Sequence, residues 1–354
     1  MSISLIVNAI RSWRGFVTAI LFFALLPVAC TGSKSSVEEN SPEEKVIVAY
    51  VTSWSRVIPD PSLFTVLNYA FGHVNDSFDG VRIDNPDRFR QMIKLKETNP
   101  RLKVLLSIGG WGSGRFSEMA ANDSLRKAFA KDCSRLIEEY GFDGIDIDWE
   151  YPTIDWAGIS SSPDDTENFT LLMRDLREAI SDQKLLTLAS SATAKYVDFK
   201  SVAPIVDFVN LMTYDMSDGV SHHAPLYSSS IAPGMTADKS VKLHREAGVP
   251  DDKIVLGMPF YGRGVNNGET YYCDFKNVRL EEGQREVWDS LANSPYIAEM
   301  EGNYVFGYDN PKSIVLKSEY ILDHGLRGAM YWDYNGDDSI KSLSSAIHKV
   351  LMGL

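Results

Sequence analysis

The fold is decided by one stretch, GFDGIDIDWEYP at residues 141–152. It has the pattern of a single β-strand, because isoleucines alternate with acids and successive side chains on a strand point to opposite faces. Asp146, Asp148 and Glu150 therefore share one face, with neighbours roughly 7 Å apart. Like charges this close repel, and burial disfavours ionisation further. At least one of these acids is expected to keep its proton near neutral pH.

This acidic face indicates acid–base chemistry. A protonated carboxyl group beside an ionised one can protonate a leaving oxygen, which requires environments that separate the two pKa values. The alternative is an ordinary strand with one solvated polar face. We favour a catalytic role for these acids. A solvated face typically carries Thr, Lys and mixed polar residues rather than three acids in a row around Trp149.

Seven other short apolar runs bounded by turn signals are also predicted to be strands. They are residues 46–51, 67–72, 103–111, 185–189, 207–214, 254–261 and 326–332. Helical patterns lie between them, the clearest at residues 124–140, with Asp123 as its cap and Gly141 at its end. Eight strands alternating with helices predict an α/β fold, the (β/α)8 TIM barrel. A doubly wound sheet is the alternative, but no glycine-rich phosphate loop follows the first strand.

Polar and aromatic side chains gather where the predicted strands end, which is where a barrel of this kind carries its active site. The residues at or just after these ends are Trp54, Trp111, Asp148, Glu150, Tyr214, Asp215, Tyr261, Arg263 and Trp332. The strand assignment did not use this property. We therefore expect these residues to meet on one rim.

The sequence resembles family 18 glycoside hydrolases. Asp143, Asp146, Asp148 and Glu150 match the DxxDxDxE signature of this family, and the ending WEYP is the form seen in its chitinases. The resemblance extends over about residues 46–345. Further matching motifs are SIGG at 107–110, MTYD at 212–215, GMPFYGR at 257–263 and GAMYW at 328–332.

The resemblance also implies details of the fold. Some members carry an α+β insertion between strands seven and eight, and residues 264–300 are too few for its full version. We therefore expect a short insertion and a shallow groove. Non-proline cis peptide bonds are implied at Ala70–Phe71 and Trp332–Asp333.

The resemblance implies hydrolysis with retention, in which the substrate's own acetamido oxygen attacks the anomeric carbon and gives an oxazolinium ion. Glu150 would be the general acid and then the base, Asp148 would orient the acetamido group, and Asp146 would share a proton with Asp148. Tyr214 would hydrogen-bond the attacking carbonyl oxygen. The substrate-binding residues would be Phe71, Trp111, Tyr151, Met212, Asp215, Tyr261, Arg263 and Trp332.

Several of these residues have structural interpretations as well. The aromatic ones are compatible with core positions, and Arg263 with a surface ion pair. Asp143 is interpreted as structural support for the acidic strand. His222 and His223, in a loop with no evident carboxylate partner, are interpreted as solvated polar residues. No cluster of His, Cys and acids has metal-ligand spacing, so neither a metal nor a cofactor is predicted.

Charge and cysteine content limit the partners. The net charge of −13 argues against nucleic acid or an anionic membrane surface, since both require basic patches. A fold of this size does not need a disulfide. Cys133, on the apolar stripe of a predicted helix, is expected to be a buried free thiol, and a bond to Cys273 is left open.

The N-terminal region is predicted to be an export signal. In residues 1–30, two arginines precede an apolar run, and Cys30 at its end resembles the lipidated cysteine of bacterial lipoproteins. Residues 31–44 are predicted to be a flexible tether because they are almost devoid of apolar side chains, and residues 45–354 to be the catalytic domain. We expect a monomer held by its lipid at the outer membrane or cell surface, or alternatively a periplasmic or secreted protein.

The expected substrate is a β-1,4-linked N-acetylglucosamine oligomer or polymer such as chitin. Two alternatives stay open. An endo-β-N-acetylglucosaminidase that cuts the chitobiose core of N-glycans would use the same chemistry. A glycan-binding lectin on this fold would keep the groove without the acid, although both Asp148 and Glu150 are present here.

Overall fold

The computed structural model describes residues 44–266 and 268–353. The predicted signal peptide, Cys30 and all of the predicted tether except its last residue lie outside this part of the chain. Lipidation and export therefore stay predictions. Between residues 44 and 353, leaving out residue 267, no helix is long and apolar enough to cross a bilayer.

Strands and helices alternate along most of the chain. In chain order they are β1 (Val46–Thr52), β2 (Val66–Val74), β3 (Val81–Ile83), α1 (Pro86–Ile93), β4 (Lys103–Gly109), α2 (Phe116–Ala121), α3 (Asp123–Tyr140), β5 (Gly144–Asp148), α4 (Asp165–Ile180), β6 (Leu185–Ser191), α5 (Phe199–Val202), β7 (Phe208–Met212), α6 (Ala237–Ala247), β8 (Ile254–Pro259), β9 (Tyr261–Asn266), β10 (Glu269–Asp274), β11 (Gln284–Asp289), β12 (Ser294–Glu299), β13 (Tyr304–Gly307), α7 (Pro311–Asp323), β14 (Gly328–Trp332) and α8 (Ser342–Met352). Short 3₁₀ helices lie at Lys94–Glu97, Trp156–Gly158, Asp251–Lys253, Phe275–Asn277 and Tyr334–Gly336.

Eight of these strands, all parallel, close into one barrel. Their order around the barrel is β1, β2, β4, β5, β6, β7, β8 and β14, and β14 pairs with β1 to complete the ring. The short β3 pairs antiparallel with β2. These eight are the strands that the sequence predicted, so the (β/α)8 barrel is confirmed.

The alternation of side chains along β5 separates the barrel interior from the helix layer. Ile145 and Ile147 are buried in the apolar cluster that contains Phe129 of α3 and Phe169 of α4. The acids between the isoleucines therefore face the barrel interior. This is the arrangement that the sequence pattern predicted.

Helix α3 begins one residue before its predicted start and has a different cap. Asn122 accepts hydrogen bonds from two amides of the first turn and has the extended backbone that a cap requires. Asp123, the predicted cap, is instead the first residue of the helix, so that prediction was wrong. Gly141 ends the helix at φ 76°, as predicted.

Asp143 supports the start of β5, as predicted. Its carboxylate pairs with Lys96 at 2.7 Å and accepts a hydrogen bond from the amide of Val104 at 2.9 Å. On the neighbouring helix α3, Cys133 is buried and free, as expected. Cys273 is also free, so the open question of a disulfide is answered.

A second sheet lies between β8 and β14. Strands β9 to β13 form an antiparallel sheet in the order β10, β9, β13, β12 and β11. The sequence predicted an insertion at this place but no strands within it. The side chains of β10 and β11 are exposed or partly exposed throughout, so neither strand has the buried face that produces an alternating pattern.

A buried ion pair joins the end of this second sheet to helix α7. Lys317 of α7 donates to Asp309, which lies just after β13, and the two side chains are 1% and 0% exposed. Ser313 donates to the other oxygen of Asp309 at 2.7 Å. Burial lowers the pKa of Lys317. Removing one partner would leave an uncompensated charge in the interior.

Replacing Lys317 by Met should destabilise the protein by about 3–5 kcal/mol, because Asp309 would stay buried without its cation. The double variant with Asp309→Asn and Lys317→Met removes both charges and should lose much less. Urea unfolding gives both free energies. A single variant as stable as the wild type would contradict this account of the ion pair.

Candidate active site

The first acid of β5 lies at the centre of the barrel. Asp146 is fully buried, and its carboxylate accepts hydrogen bonds from Tyr50 (2.7 Å), Ser107 (2.8 Å), Thr187 (2.6 Å) and Asn210 (3.2 Å). These donors come from β1, β4, β6 and β7, so one carboxylate links five strands. Burial raises the pKa of Asp146, and the hydrogen bonds oppose this rise.

Asp148 is buried as well, but it is poorly hydrogen-bonded. It is 4% exposed, and its Oδ1 has no hydrogen-bond partner among the described residues. Burial, and then the negative charges of Glu150 and Asp146, raise the pKa of Asp148 well above its usual value. Asp148 is therefore expected to hold a proton in the free protein.

Glu150 follows the end of β5 and is only partly buried. Burial raises its pKa to about 7, a hydrogen bond from Tyr151 opposes this rise, and the negative charge of Asp215 adds to it. Near neutral pH Glu150 therefore exists in both protonated and ionised forms. A residue that first donates a proton and later accepts one requires this balance.

Two glycines of the SIGG motif allow β4 to approach the acidic strand. Gly109 has φ 131°, and a Cβ there would lie 1.9 Å from the carbonyl oxygen of Asp148. Gly110 has φ 93°, and a Cβ there would lie 2.7 Å from the ring of Phe71. The motif therefore gives the acids and the aromatic residue beside them room to pack closely.

Aromatic side chains form one wall of the site. The ring of Trp332, at the end of β14, lies 5.6 Å from that of Phe71 at an interplanar angle of 21°, and 5.7 Å from that of Tyr50. Trp54 extends the row next to Phe71, at 6.4 Å, and is 64% exposed. The row therefore offers an apolar surface that runs outward from the barrel.

A second wall is polar and follows β7 and β8. The rings of Tyr214 and Tyr261 meet edge to face at 6.2 Å, and the hydroxyl of Tyr261 donates to Asp215. Nη1 of Arg263 lies 3.4 Å from Oδ1 of Asp215, and the Arg263 side chain is only 14% exposed, which excludes a surface ion pair. Asp215, Tyr261 and Trp332 line a cavity of about 210 Å³, so neither ring is an ordinary core aromatic.

The remaining predicted binding residues lie at the same end of the barrel. Trp111 follows β4 and is 62% exposed. Tyr151 stacks on Tyr196 at 5.2 Å, and its hydroxyl donates to Glu150. Met212, at the end of β7, is 9% exposed and packs in the apolar cluster of the barrel interior. The predicted residues thus occupy one rim, and Met212 lies below it.

The histidine pair is not solvated, so that interpretation was wrong. His222 and His223 are 2% and 1% exposed. Nε2 of His222 lies 3.4 Å from Asp289 at the end of β11, and Nδ1 of His223 lies 3.5 Å from Asp215. The sequence did not reveal these carboxylate partners, because the fold of the loop and of the second sheet brings them to the histidines.

Sequence reasoning missed four residues of the cavity wall, which are Phe260, Tyr272, Asp274 and Asp333. Tyr272 and Asp274 belong to β10, a strand that the sequence did not indicate. Asp333 directly follows the last barrel strand, and this position was the available signal. Burial, and then the charge of Asp274, raise the pKa of Asp333 to about 6.

Cis peptide bonds that do not involve proline lie at three places around this rim. The predicted bonds at Ala70–Phe71 and Trp332–Asp333 are both cis. A third, at Glu150–Tyr151, was not predicted. In the part of the chain that the structure describes, no three His, Cys, Asp or Glu side chains are grouped so that they could hold a metal ion.

Comparison with known proteins agrees with this geometry. The sequence profile of glycosyl hydrolases family 18 matches residues 46–337, which include every barrel strand. The chain belongs to this family. The matched residues include the acids of β5.

Relatives in family 18 carry chitinase names. Chitinase A1 of Niallia circulans is 34% identical over 333 residues, which cover 80% of this chain and 48% of the relative. Chitotriosidase-1 of Mus musculus is 31% identical over 353 residues, which cover 82% of this chain and 73% of the relative. The chain therefore spans about half the length of Chitinase A1 and more of the mouse protein.

Solved structures of family 18 proteins superimpose closely on this one. A family 18 N-acetylglucosaminidase from Paenibacillus barengoltzii has a TM-score of 0.80 and 34% identity, and the match covers 87% of this chain and 100% of that one. The Group IV chitinase of Ostrinia furnacalis in complex with allosamidin has a TM-score of 0.79 and 30% identity, covering 88% and 99%.

Replacing Asp215 by Asn should lower the pKa of Glu150, because the nearby negative charge of Asp215 raises it. Carbon-13 NMR titration of the Glu150 carboxyl group measures the change. Asp87→Asn, on the exposed surface of α1, is the matched control and should leave this pKa unchanged. The charge coupling is refuted by an Asp215→Asn variant whose Glu150 has an unchanged or higher pKa.

Proposed function

We propose that this protein hydrolyses β-1,4-linked N-acetylglucosamine chains such as chitin, with retention of configuration and with the substrate's acetamido group as nucleophile. The observation that carries the proposal is the state of Asp148 and Glu150 at the end of β5. Asp148 is buried with a pKa well above its usual value, and the pKa of the more accessible Glu150 is about 7. The chitinase names of its relatives favour chitin as the substrate.

In the first step, Glu150 gives its proton to the glycosidic oxygen while the bond from that oxygen to the anomeric carbon breaks. The acetamido oxygen of the same sugar attacks the anomeric carbon and closes an oxazolinium ring. Asp148 is a poor candidate for the nucleophile, because it is 4% exposed and expected to be protonated. Attack by the substrate's own acetamido oxygen does not require an exposed, ionised Asp148.

In the second step, the ionised Glu150 takes a proton from water as the water oxygen attacks the anomeric carbon. The bond from that carbon to the acetamido oxygen breaks, and the acetamide is restored. Two inversions at one carbon give overall retention. Glu150 ends protonated again, which is why a pKa near the working pH serves both steps.

Asp148 and Tyr214 would handle the acetamido group. Asp148 has an oxygen without a hydrogen-bond partner in the described residues, so it can accept from the acetamido N–H. When Asp148 shares its proton with Asp146, its negative charge can stabilise the positive charge of the ring. Among the residues that the structure describes, the hydroxyl of Tyr214 meets only a weak acceptor, the sulfur of Met330 at 3.7 Å. It can therefore donate to the acetamido oxygen and align it for attack.

The walls of the site suit a neutral sugar chain. The row of Trp332, Phe71 and Trp54 offers aromatic rings on which the apolar faces of sugar rings can pack. Asp215 and Arg263 at the opposite wall can bind hydroxyl groups. A net charge of −13 does not oppose the approach of an uncharged polymer.

The experiment that tests this function is mass spectrometry of the products after incubation with chitin hexasaccharide and, in parallel, with a high-mannose glycoprotein. Short N-acetylglucosamine oligomers from the hexasaccharide alone are the expected result. Release of a glycan that leaves one N-acetylglucosamine on the protein would indicate an N-glycan endoglycosidase. Binding of the hexasaccharide without any product would indicate a lectin.

Replacing Glu150 by Gln should lower kcat on chitin hexasaccharide by about 10²–10⁴-fold, because the amide cannot transfer the proton. Glu139→Gln, on the exposed face of α3, is the matched control and should keep full activity. Initial rates measured by chromatography of the products give both values. A Glu150→Gln variant as fast as the wild type would remove Glu150 from the mechanism.

A further inference from the structure

Asp215, at the edge of the cavity, has an unusual backbone. It follows β7 with a φ of 52°, in the left-handed region that residues with a Cβ seldom adopt. Aspartate adopts this conformation more readily than most residues with a Cβ, but it is still less favourable than the right-handed or extended one. Contacts from neighbouring groups therefore help to hold Asp215 in this position.

His223 contacts Asp215 and the residue after it. The carbonyl oxygen of His223 accepts a hydrogen bond from the amide of Met216 at 3.0 Å. Its ring Nδ1 lies 3.4 Å from the amide nitrogen of Asp215 and 3.5 Å from Oδ1 of the same residue. One buried imidazole thus reaches both the strained backbone and the carboxylate of Asp215.

The position of His223 is itself fixed. It is 1% exposed, and its ring lies 5.3 Å from that of Tyr261. Arg263 and Tyr261 also contact the Asp215 carboxylate, and Glu150 faces it electrostatically. His223 differs from these groups because it also accepts from the Asp215 amide, where the unusual backbone conformation must be held.

His222 packs the loop that carries both histidines against the second sheet. Its ring lies edge-on to those of Tyr296 and Tyr304, at 5.3 Å and 5.7 Å, and its Nε2 is 3.4 Å from Asp289. Burial lowers the pKa of His222 to about 4, so this ring is neutral at physiological pH. The adjacent histidines therefore hold the second sheet with one ring and Asp215 with the other.

We propose that His223 is a positioning residue, which holds Asp215 in its left-handed conformation so that the Asp215 carboxylate meets the sugar at the cleavage point. This inference rests on the proposed function, because Asp215 there binds the sugar whose glycosidic bond breaks. His223 acts through Asp215 and does not touch the substrate. Its loss should therefore affect the turnover of bound substrate more than binding.

The test compares His223→Ala with His223→Asn in the full-length protein. His223→Ala should lower kcat on chitin hexasaccharide by about 10–100-fold with a smaller change in KM, because a misplaced group costs rate in the transition state. The side-chain oxygen of Asn can stand where Nδ1 of His223 stands and accept from the Asp215 amide. His223→Asn should therefore recover most of the lost kcat.

A double-mutant cycle separates positioning from general stability. Adding His223→Ala to Asp215→Asn should lower kcat no further than Asp215→Asn alone, since His223 acts through that carboxylate. His244→Ala is the matched control, because His244 is a fully buried histidine that bonds Ser190 and Ser240 on the outer side of the barrel. It should lower the melting temperature but leave the kcat of the folded protein unchanged.

Additive losses in the cycle, or an unchanged kcat in folded His223→Ala, would overturn the positioning role. A wild type that does not cleave the hexasaccharide would instead refute the proposed function. The contact can then be tested by nitrogen-15 NMR, since the Asp215 amide donates to Nδ1 of His223. His223→Ala should shift the Asp215 amide resonance, and an unchanged resonance would refute the contact.

Discussion

The structure depends on the burial of one carboxylate. Asp146 lies in the middle of the barrel, where taking a charge out of water costs several kcal/mol unless hydrogen bonds replace the lost hydration. Tyr50, Ser107, Thr187 and Asn210 supply them from four other strands. The interior of this barrel is therefore organised around a polar centre, and the register of β5 against its neighbours is fixed by that requirement.

Asp146, Asp148 and Glu150 become more exposed in the order in which they follow one another along the chain. Asp146 is fully enclosed and hydrogen-bonded, Asp148 is enclosed with an unpartnered oxygen, and Glu150 reaches the open rim. Each step along the face lowers the burial and changes what the carboxyl group can do. The innermost acid organises the barrel interior. In the proposed mechanism, the middle one keeps a proton and an acceptor for the substrate, and the outermost exchanges protons at neutral pH.

The sequence predicted those parts in which a local pattern reflects a local environment. Seven barrel strands followed from short apolar runs, and β5 with its acidic face followed from the alternation of acids with Ile145 and Ile147. The second sheet was missed because β10 and β11 lack a buried face and so carry no alternating pattern. The partners of His222 and His223 were missed because tertiary folding, rather than any local pattern, brings Asp289 and Asp215 to them.

In the proposed mechanism, the buried acids of β5 leave nucleophilic attack to the substrate. The most direct measurement is kcat/KM for a series of aryl chitobiosides whose acetyl groups carry zero to three fluorine atoms. Fluorine withdraws electrons from the acetamido oxygen and weakens it as a nucleophile. The proposed mechanism requires a steep fall in rate across the series. A rate that does not change would show that a group of the protein attacks instead.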